Sequence, residues 1–183
     1  MSHVLVPLAQ GCEELEAITI TDLLVRAGIS VTTCGLDALP VIASRGTTII
    51  PDTTIDTVMD TTFDMIVLPG GLPGAEHLRD NDQLQTLIKK QSAENRYLGA
   101  ICAAPIALAK AGILKHRTAT CYPGVLTKLG DESISISQKT VEIDDKIITS
   151  RGPGTAMDFA LTLIELLEGK ESRERVNAQL VRD

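Results

Sequence analysis

"YLGAICAAPIALAKAG", Tyr97 to Gly112, opens with five strand-forming residues, meets a cysteine, and continues as a small-residue helix. A strand that runs straight into a helix is the repeating unit of parallel α/β sheets. The alternation continues outward in both directions. Upstream, "HVLVPLA" reads as a strand, Gly11 to Ala27 as a helix closed by Gly28, and "SVTTCGL" as a second strand. A β-rich excursion follows through "VIASRGTTII", and then the apolar strand "DMIVLPGG" ends in glycines. A helix is expected from about Asp82 to Glu94, and the helix after Cys102 is expected to begin near Ala103 and run to Lys110.

Downstream, "RTATCY" reads as another strand, and "SISIS", "TVEID" and "KIITS" as shorter ones. Asp144-Asp145 between the last two marks the turn of an appended hairpin. "GTAMDFALTLIELLEG" is a long helix with Gly169 as its stop, and a final polar helix docks through Val176 and Leu180. Near-continuous apolar strands alternating with helices imply a mostly parallel sheet covered on both faces. The expected fold is α/β: a flavodoxin-like three-layer α/β/α sandwich with an appended β-hairpin.

With 183 residues, the chain is expected to form one domain over 1–183. Aromatic residues are only 2% and Trp is absent, so the core must be aliphatic. A formal charge of −7 gives no general attraction to nucleic acid or to an anionic membrane. Neither a signal peptide nor a membrane span is recognisable, so the cytoplasm is the expected location. Cys12, Cys34, Cys102 and Cys121 show no zinc-type spacing and read as free thiols, with no metal site.

Ligands bind such sheets beyond the carboxyl ends of the strands. Four unusual stretches fall there. In "GAICAAP", Ala100 and Ala104 supply the small residues that a nucleophile elbow needs on either side of Cys102. A helix beginning near Ala103 would turn its dipole toward the sulfur and lower the thiol pKa from about 8.5. The competing reading is a packing cysteine in an Ala-rich junction. In "LPGG", Gly70 and Gly71 allow a sharp turn and close approach of backbone to a ligand. The N–H groups of Gly71 and Ala103 could then form an oxyanion hole.

The third stretch is the helix "GCEELEAITITDLLVRAG". Glu13, Glu16, Ala17, Ile20, Leu23, Leu24 and Ala27 share one face, so Glu16 is expected to be buried with a raised pKa. Glu14 and Asp22 lie elsewhere and are expected to face solvent. Leu15, Ile18 and Val25 form a second apolar stripe, which hints at a dimer interface. The fourth stretch is "SRGPGTAMDF", where Gly152, Pro153 and Gly154 shape a tight loop before a helix. Such a helix start can bind anions or be merely well capped. Arg45 and Arg151 could bring positive charge to the same edge.

Together "GCEELEA", "VLPGG", "AICAAP" and "TSRGPGTAMDFAL" resemble the ThiJ/PfpI superfamily, in particular its small YajL and DJ-one branch, over nearly the whole length. The resemblance implies that Cys102 is the reactive, oxidation-prone cysteine and Glu16 the glutamate that hydrogen-bonds it. It implies that Gly71 and Ala103 are the neighbouring amide donors, with Gly70, Tyr122, Arg45 and Pro153 supporting. It places Arg26 and Arg45 near a homodimer interface and the site entrance, with Leu15 and Ile18 in that interface. The activities it implies are cofactor-free and glyoxalase-like or deglycase-like, acting on small reactive aldehydes or glycated thiols and amines. The other expectations are a redox sensor without turnover and a stress chaperone.

Two departures narrow these expectations. Tyr122 in "TCYPG" stands where the human relative has histidine, and a phenol with pKa near 10 is a poor base. His3, His77 and His116 fall on no catalytic position of the family. Ala103 stands where the peptidase branch carries histidine directly after the cysteine, which argues against peptidase and class I glutaminase chemistry. No G-x-x-x-x-G-K loop supports phosphate transfer.

Overall fold

The computed structural model describes residues 1–182. Strand β1 (His3–Leu8) leads into helix α1 (Glu14–Arg26), then β2 (Ser30–Gly35). The β-rich excursion becomes a small antiparallel ribbon, β3 (Val41–Ile42) with β4 (Thr48–Ile49), before β5 (Thr53–Thr54). Strand β6 (Met65–Leu68), helices α2 (Gly74–Asp80) and α3 (Asp82–Ala93), β7 (Tyr97–Ile101) and α4 (Pro105–Lys110) follow. A second ribbon pairs β8 (Thr118–Ala119) with β9 (Ser135–Ile136). The hairpin β10 (Val141–Asp144) and β11 (Ile147–Ser150) turns through Asp145 at φ +57°. Helix α5 (Ala156–Gln179) closes the fold.

The main sheet has seven strands in the order β10-β11-β7-β6-β1-β2-β5, and only the β10–β11 pair is antiparallel. Strand side chains alternate between faces with a period of two. Val4, Val6, Leu8, Met65 and Val67 join α1 and α5 in one buried layer, around Ile20, Leu24, Phe159 and Leu163. Leu5, Ile66, Leu68, Leu98 and Ala100 join α2, α3 and α4 in the other, around Leu78, Leu84, Ile88 and Leu108. Because both faces are covered, the central strands β1, β6 and β7 are near-continuous apolar runs. This is the expected three-layer sandwich with its appended hairpin.

Two local expectations are corrected. Helix α4 starts at Pro105, not near Ala103, because residues 102–104 are spent on turns and proline suits the first helical position. Strand β8 is two residues long and lies in the ribbon, outside the main sheet, against β10. As expected, Gly169 stops the long helix at φ +83° and a further helical segment follows, so α5 is a jointed pair. The second segment docks through fully buried Val176 and partly buried Leu180. Helix α2 went unanticipated, since it sits directly behind two Pro-Gly steps that read as loop. Among the described residues no helix is long and apolar enough to cross a membrane.

Candidate active site

The carboxyl ends of β1, β6, β7 and β11 converge at one edge of the sheet. The register pairs Leu68 with Ala100 and Ser150 with Ile101, so the chain leaves all these strands at similar height. Cys102 is the first residue past β7 and adopts φ +62°. For a residue with a side chain this left-handed conformation costs about 1–2 kcal/mol. Two backbone hydrogen bonds hold it: Cys102 N donates to Ser150 O at 3.0 Å, and Tyr122 N donates to Cys102 O at 2.8 Å. The sulfur is thereby lifted to the sheet edge, although the residue stays only 8% exposed.

Glu16 comes to the same point from the apolar face of α1 and is completely buried. Glu13, the helix N-cap, accepts a hydrogen bond from Glu16 N at 2.8 Å and so fixes the first turn. Gly70 N donates to Glu16 Oε2 at 2.7 Å, and Glu13 N donates to Gly70 O at 2.9 Å. Glu16 Oε1 is buried with no hydrogen-bond partner among the described residues, and the carboxyl and the Cys102 thiol lie close enough to influence each other's titration. Gly70 is glycine for want of space. A Cβ there would lie 2.6 Å from Cys102 Cβ and 2.8 Å from both Glu16 Oε2 and Ile101 O. Gly71 is constrained twice, by φ +88° and by Glu13 N and Cys12 behind it.

Burial pushes the Glu16 carboxyl up to about 7, against the Gly70 amide and the Cys102 thiol, which favour the charged form. Burial, then the charge on Glu16, push the Cys102 thiol up to about 12, while the Gly71 and Ala103 amides pull it down. The expected lowering by a helix dipole is therefore overturned: α4 is six residues long and begins three residues beyond the sulfur. Burial alone is the largest influence on the thiol, and the charge on Glu16 adds to it. Once Glu16 takes up a proton, its repulsion disappears and its O–H can donate to the sulfur. With Oε2 occupied by Gly70 N, that proton belongs on Oε1. The two groups therefore titrate as a unit that shares one proton.

A cavity of about 330 Å³ opens over this pair. It brings together Arg45, Gly71, Cys102, Ala103, Tyr122 and Pro153, with Gly70 and Glu16 forming the floor beneath. Glu13, Ser44, Leu72 and Val125 also line it and were not anticipated. Only Glu13 left a signal in the sequence, as a first-turn acid. Arg26, Leu15 and Ile18 do not reach the cavity. Arg26 pairs with Asp22 at 2.7 Å, and Leu15 and Ile18 lie on the outer face of α1. Glu14 lies off the buried face, as expected, and its carboxylate is engaged there by the loop between β3 and β4.

Arg151 borders a neighbouring recess of about 300 Å³ that shares Tyr122 and Pro153 with the cavity. The helix start after it is satisfied internally: Gly152 N donates to Thr155 Oγ1 at 3.0 Å. A separate hollow of about 360 Å³, near Asp37 and His77, contains none of these residues. All four cysteines are free and buried, and among the described residues no cluster of metal-ligating side chains is present.

A strained cysteine elbow above a buried carboxyl, at the carboxyl edge of a parallel sheet, defines a cysteine-centred flavodoxin-like protein. The chain belongs to the DJ-1/PfpI family, whose signature spans residues 2–166. It is 43% identical over 180 residues to protein DJ-1 homolog B of Arabidopsis thaliana, a match covering 97% of this chain and 41% of that protein. The chain thus spans less than half the length of the two Arabidopsis relatives. A Caenorhabditis elegans relative named glutathione-independent glyoxalase DJR-1.2 is 40% identical over 162 residues, 88% of this chain and 86% of that protein. Drosophila melanogaster DJ-1beta superposes with a TM-score of 0.96 at 42% identity, over the full length of both chains. An oxidized Toxoplasma gondii DJ-1 gives 0.94 at 38% identity, covering 99% of this chain and 98% of that one.

Proposed function

We propose that this protein is a cofactor-free, cysteine-dependent enzyme that processes small reactive carbonyls in the cytoplasm, in a glyoxalase-like or deglycase-like reaction. The observation that carries the reading is the Glu16 carboxyl, buried against Cys102 beneath an open cavity. A carboxyl poised near neutrality exchanges protons readily in both directions, which suits general acid–base catalysis. The C. elegans relative's name points to the same chemistry.

For methylglyoxal the steps follow from these groups. The thiol proton moves to the Glu16 carboxylate as the sulfur adds to the aldehyde carbon, and Glu16 returns it to the new alkoxide, giving a hemithioacetal and leaving the carboxylate free to act again. The Gly71 and Ala103 amides hold its oxygen while charge develops there. Glu16 then carries the proton from the aldehyde carbon to its neighbour through an enediol, which oxidises the first carbon and reduces the second. Water hydrolyses the resulting lactyl thioester, releasing lactate and restoring the thiol. The cavity has room for the same carbonyl attached to a larger thiol or amine.

Lactate production by the fully reduced protein and by Cys102→Ser tests the mechanism. Turnover by the first and none above background by the second is expected. A Cys102→Ser protein with the wild-type rate would remove the mechanism. Absence of turnover in both would favour a second reading, to which the oxidized T. gondii structure lends weight. In that reading a peroxide oxidises the Cys102 sulfur to sulfenic and then sulfinic acid, and Glu16 donates a hydrogen bond to the product.

The reading includes a homodimer built on α1. Leu15, Ile18 and Val25 are 51%, 50% and 59% exposed along one face of a helix whose other face is buried, and Arg26 closes that face. A contiguous apolar stripe of this kind marks an interaction surface. Sedimentation velocity should show a dimer that Leu15→Glu with Ile18→Glu converts to a monomer. A dimer surviving both changes places the interface elsewhere.

A further inference from the structure

The loop at residues 151–154 stands between two hollows. On one side is the cavity over Cys102, which Pro153 lines; on the other is the recess of about 300 Å³ bordered by Thr140, Arg151 and Gly154. The loop reaches the sulfur directly, since a Cβ on Gly152 would lie 4.0 Å from Cys102 Sγ and 3.4 Å from the Tyr122 ring. A segment with open space on both sides gains little from packing, so hydrogen bonds must hold it. Thr155 and Ser150 supply them. Thr155 precedes α5 as its N-cap, yet its side chain makes no cap bond to that helix. A threonine in this place ordinarily satisfies an amide of its own helix. Here the hydroxyl turns back to the loop instead. Gly152 N donates to Thr155 Oγ1 at 3.0 Å, Thr155 Oγ1 and Ser150 Oγ are 2.7 Å apart, and Ser150 Oγ donates to Thr140 O at 2.8 Å. Ser150 is completely buried, and its carbonyl accepts from Cys102 N at 3.0 Å.

The direction of this chain follows from counting protons. Each hydroxyl carries one hydrogen and can accept as well. Gly152 O lies 2.9 Å from Thr155 Oγ1, but it already accepts from Thr155 N at 2.9 Å. Ser150 spends its hydrogen on Thr140 O, so its oxygen is left as an acceptor for Thr155 Oγ1–H. The order is therefore Gly152 N–H to Thr155, Thr155 to Ser150, and Ser150 to Thr140 O. Every member then donates once, and the loop is tied to the residue just ahead of β10. Bonds joined in such a chain reinforce one another away from water. Arg151 adds one longer tie, from Nη1 to Gln138 O at 3.4 Å.

We propose that Thr155 and Ser150 are positioning residues: their hydrogen-bond chain holds the 151–154 loop as a fixed partition between the Cys102 cavity and the neighbouring recess, and so sets the upper size of the compound that reaches the sulfur. With the chain cut, the loop moves toward the recess and the two hollows join. The proposal rests on the reading of Cys102 as the reactive residue, but it does not require turnover. It is tested by the rates at which Cys102 is alkylated by N-methylmaleimide and by the far larger N-pyrenylmaleimide, resolved by peptide mass mapping. Both reagents present the same electrophile, so the ratio of the bulky to the small rate reports the width of the entrance. The N-methylmaleimide rate alone reports an intact elbow.

Loss of one hydrogen bond of ordinary net strength shifts an equilibrium about fivefold. Thr155→Val keeps the shape of the side chain and removes the hydroxyl, so it should raise the ratio by that factor while leaving the N-methylmaleimide rate in place. Thr155→Ser restores the hydroxyl and should return the wild-type ratio, which a role in packing alone would not do. Ser150→Ala cuts the next link and should raise the ratio comparably. Because both residues act through one chain, the double variant should exceed the larger single effect by little. Cys12 and Cys34, both fully buried, are internal references, since loosening of the whole fold would expose them too. A ratio that stays level or falls in Thr155→Val, or one that Thr155→Ser fails to restore, overturns the proposal. So does a raised ratio accompanied by labelling of Cys12 or Cys34. The expected ratios in a protein that makes no lactate would uphold the partition and remove the carbonyl chemistry.

Discussion

Glu16→Gln is expected to make the protein more stable and far less active in the same pH range. The folded protein keeps the Glu16 proton up to about 7, whereas the unfolded chain releases it near the ordinary value of 4.5. Between those limits the folded state binds the extra proton, so stability falls as pH rises through the window. A displacement of that size corresponds to roughly 3 kcal/mol once both states are ionised. Glutamine does not titrate, can accept the Gly70 amide, and can donate toward the sulfur. Its stability advantage should be negligible near pH 4.5 and grow to about 3 kcal/mol by pH 8. Without a group that exchanges protons, kcat should fall by about 10²–10⁴. Urea denaturation at pH 5 and pH 8, paired with lactate assays, measures both effects. Parallel pH profiles for the two proteins would mean that Glu16 does not hold its proton in the fold.

Gly70→Ala should also be severe, for a reason of volume and not of backbone dihedral. The new methyl would overlap the Cβ of Cys102 and the Ile101 carbonyl, which the backbone fixes, and the tip of the Glu16 carboxylate, which the Gly70 amide holds. Overpacking of this kind costs about 1–3 kcal/mol. More important for chemistry, relief requires the elbow and α1 to move apart, and a displacement near 1 Å can cost about a hundredfold in rate. Gly154→Ala is the matched control: nothing lies within 4 Å of a Cβ there, although neighbouring Pro153 lines the same cavity. Thermal melts and lactate assays should separate the two, with Gly154→Ala near wild type. Equal behaviour would show that the site tolerates a wider Cys102–Glu16 spacing than its geometry implies.

What could be read without coordinates follows a physical pattern. Strands such as β6 and β7 were legible because burial on both faces demands continuous apolar residues. Asp144-Asp145 was legible because Asp145 takes the positive φ that a tight hairpin uses. The burial of Glu16 was visible because helical spacing places it among Ala17, Ile20 and Leu24. The strength of its tie to Cys102, 86 positions away, depends on how three chain segments close around Gly70, and no local pattern encodes that. The partners of Glu14 were hidden for the same reason: helical spacing turns it away from the core, and they lie some 30 residues downstream. The lowered thiol was inferred from a helix that starts two residues later than its composition suggests. Helix α2 was hidden by the Pro-Gly steps that precede it.

The small ribbon of β8 and β9 bears on how this sheet ends. An open parallel sheet presents unpaired backbone at its outer strands, and exposed edges recruit other chains into aggregates. Here β8 lies alongside β10, Arg117 pairs with Asp144 at 2.9 Å, and Thr118 N donates to Asp144 Oδ2 at 2.7 Å. The opposite edge, β5, is only two threonines long. One margin is covered; at the other, β5 pairs only Cys34 and Gly35 of β2, and Asp52 accepts from Thr33 N at 2.8 Å. The hairpin margin is therefore closed to a further strand, and a neighbouring chain seeking to extend this sheet would have to approach from the β2 side.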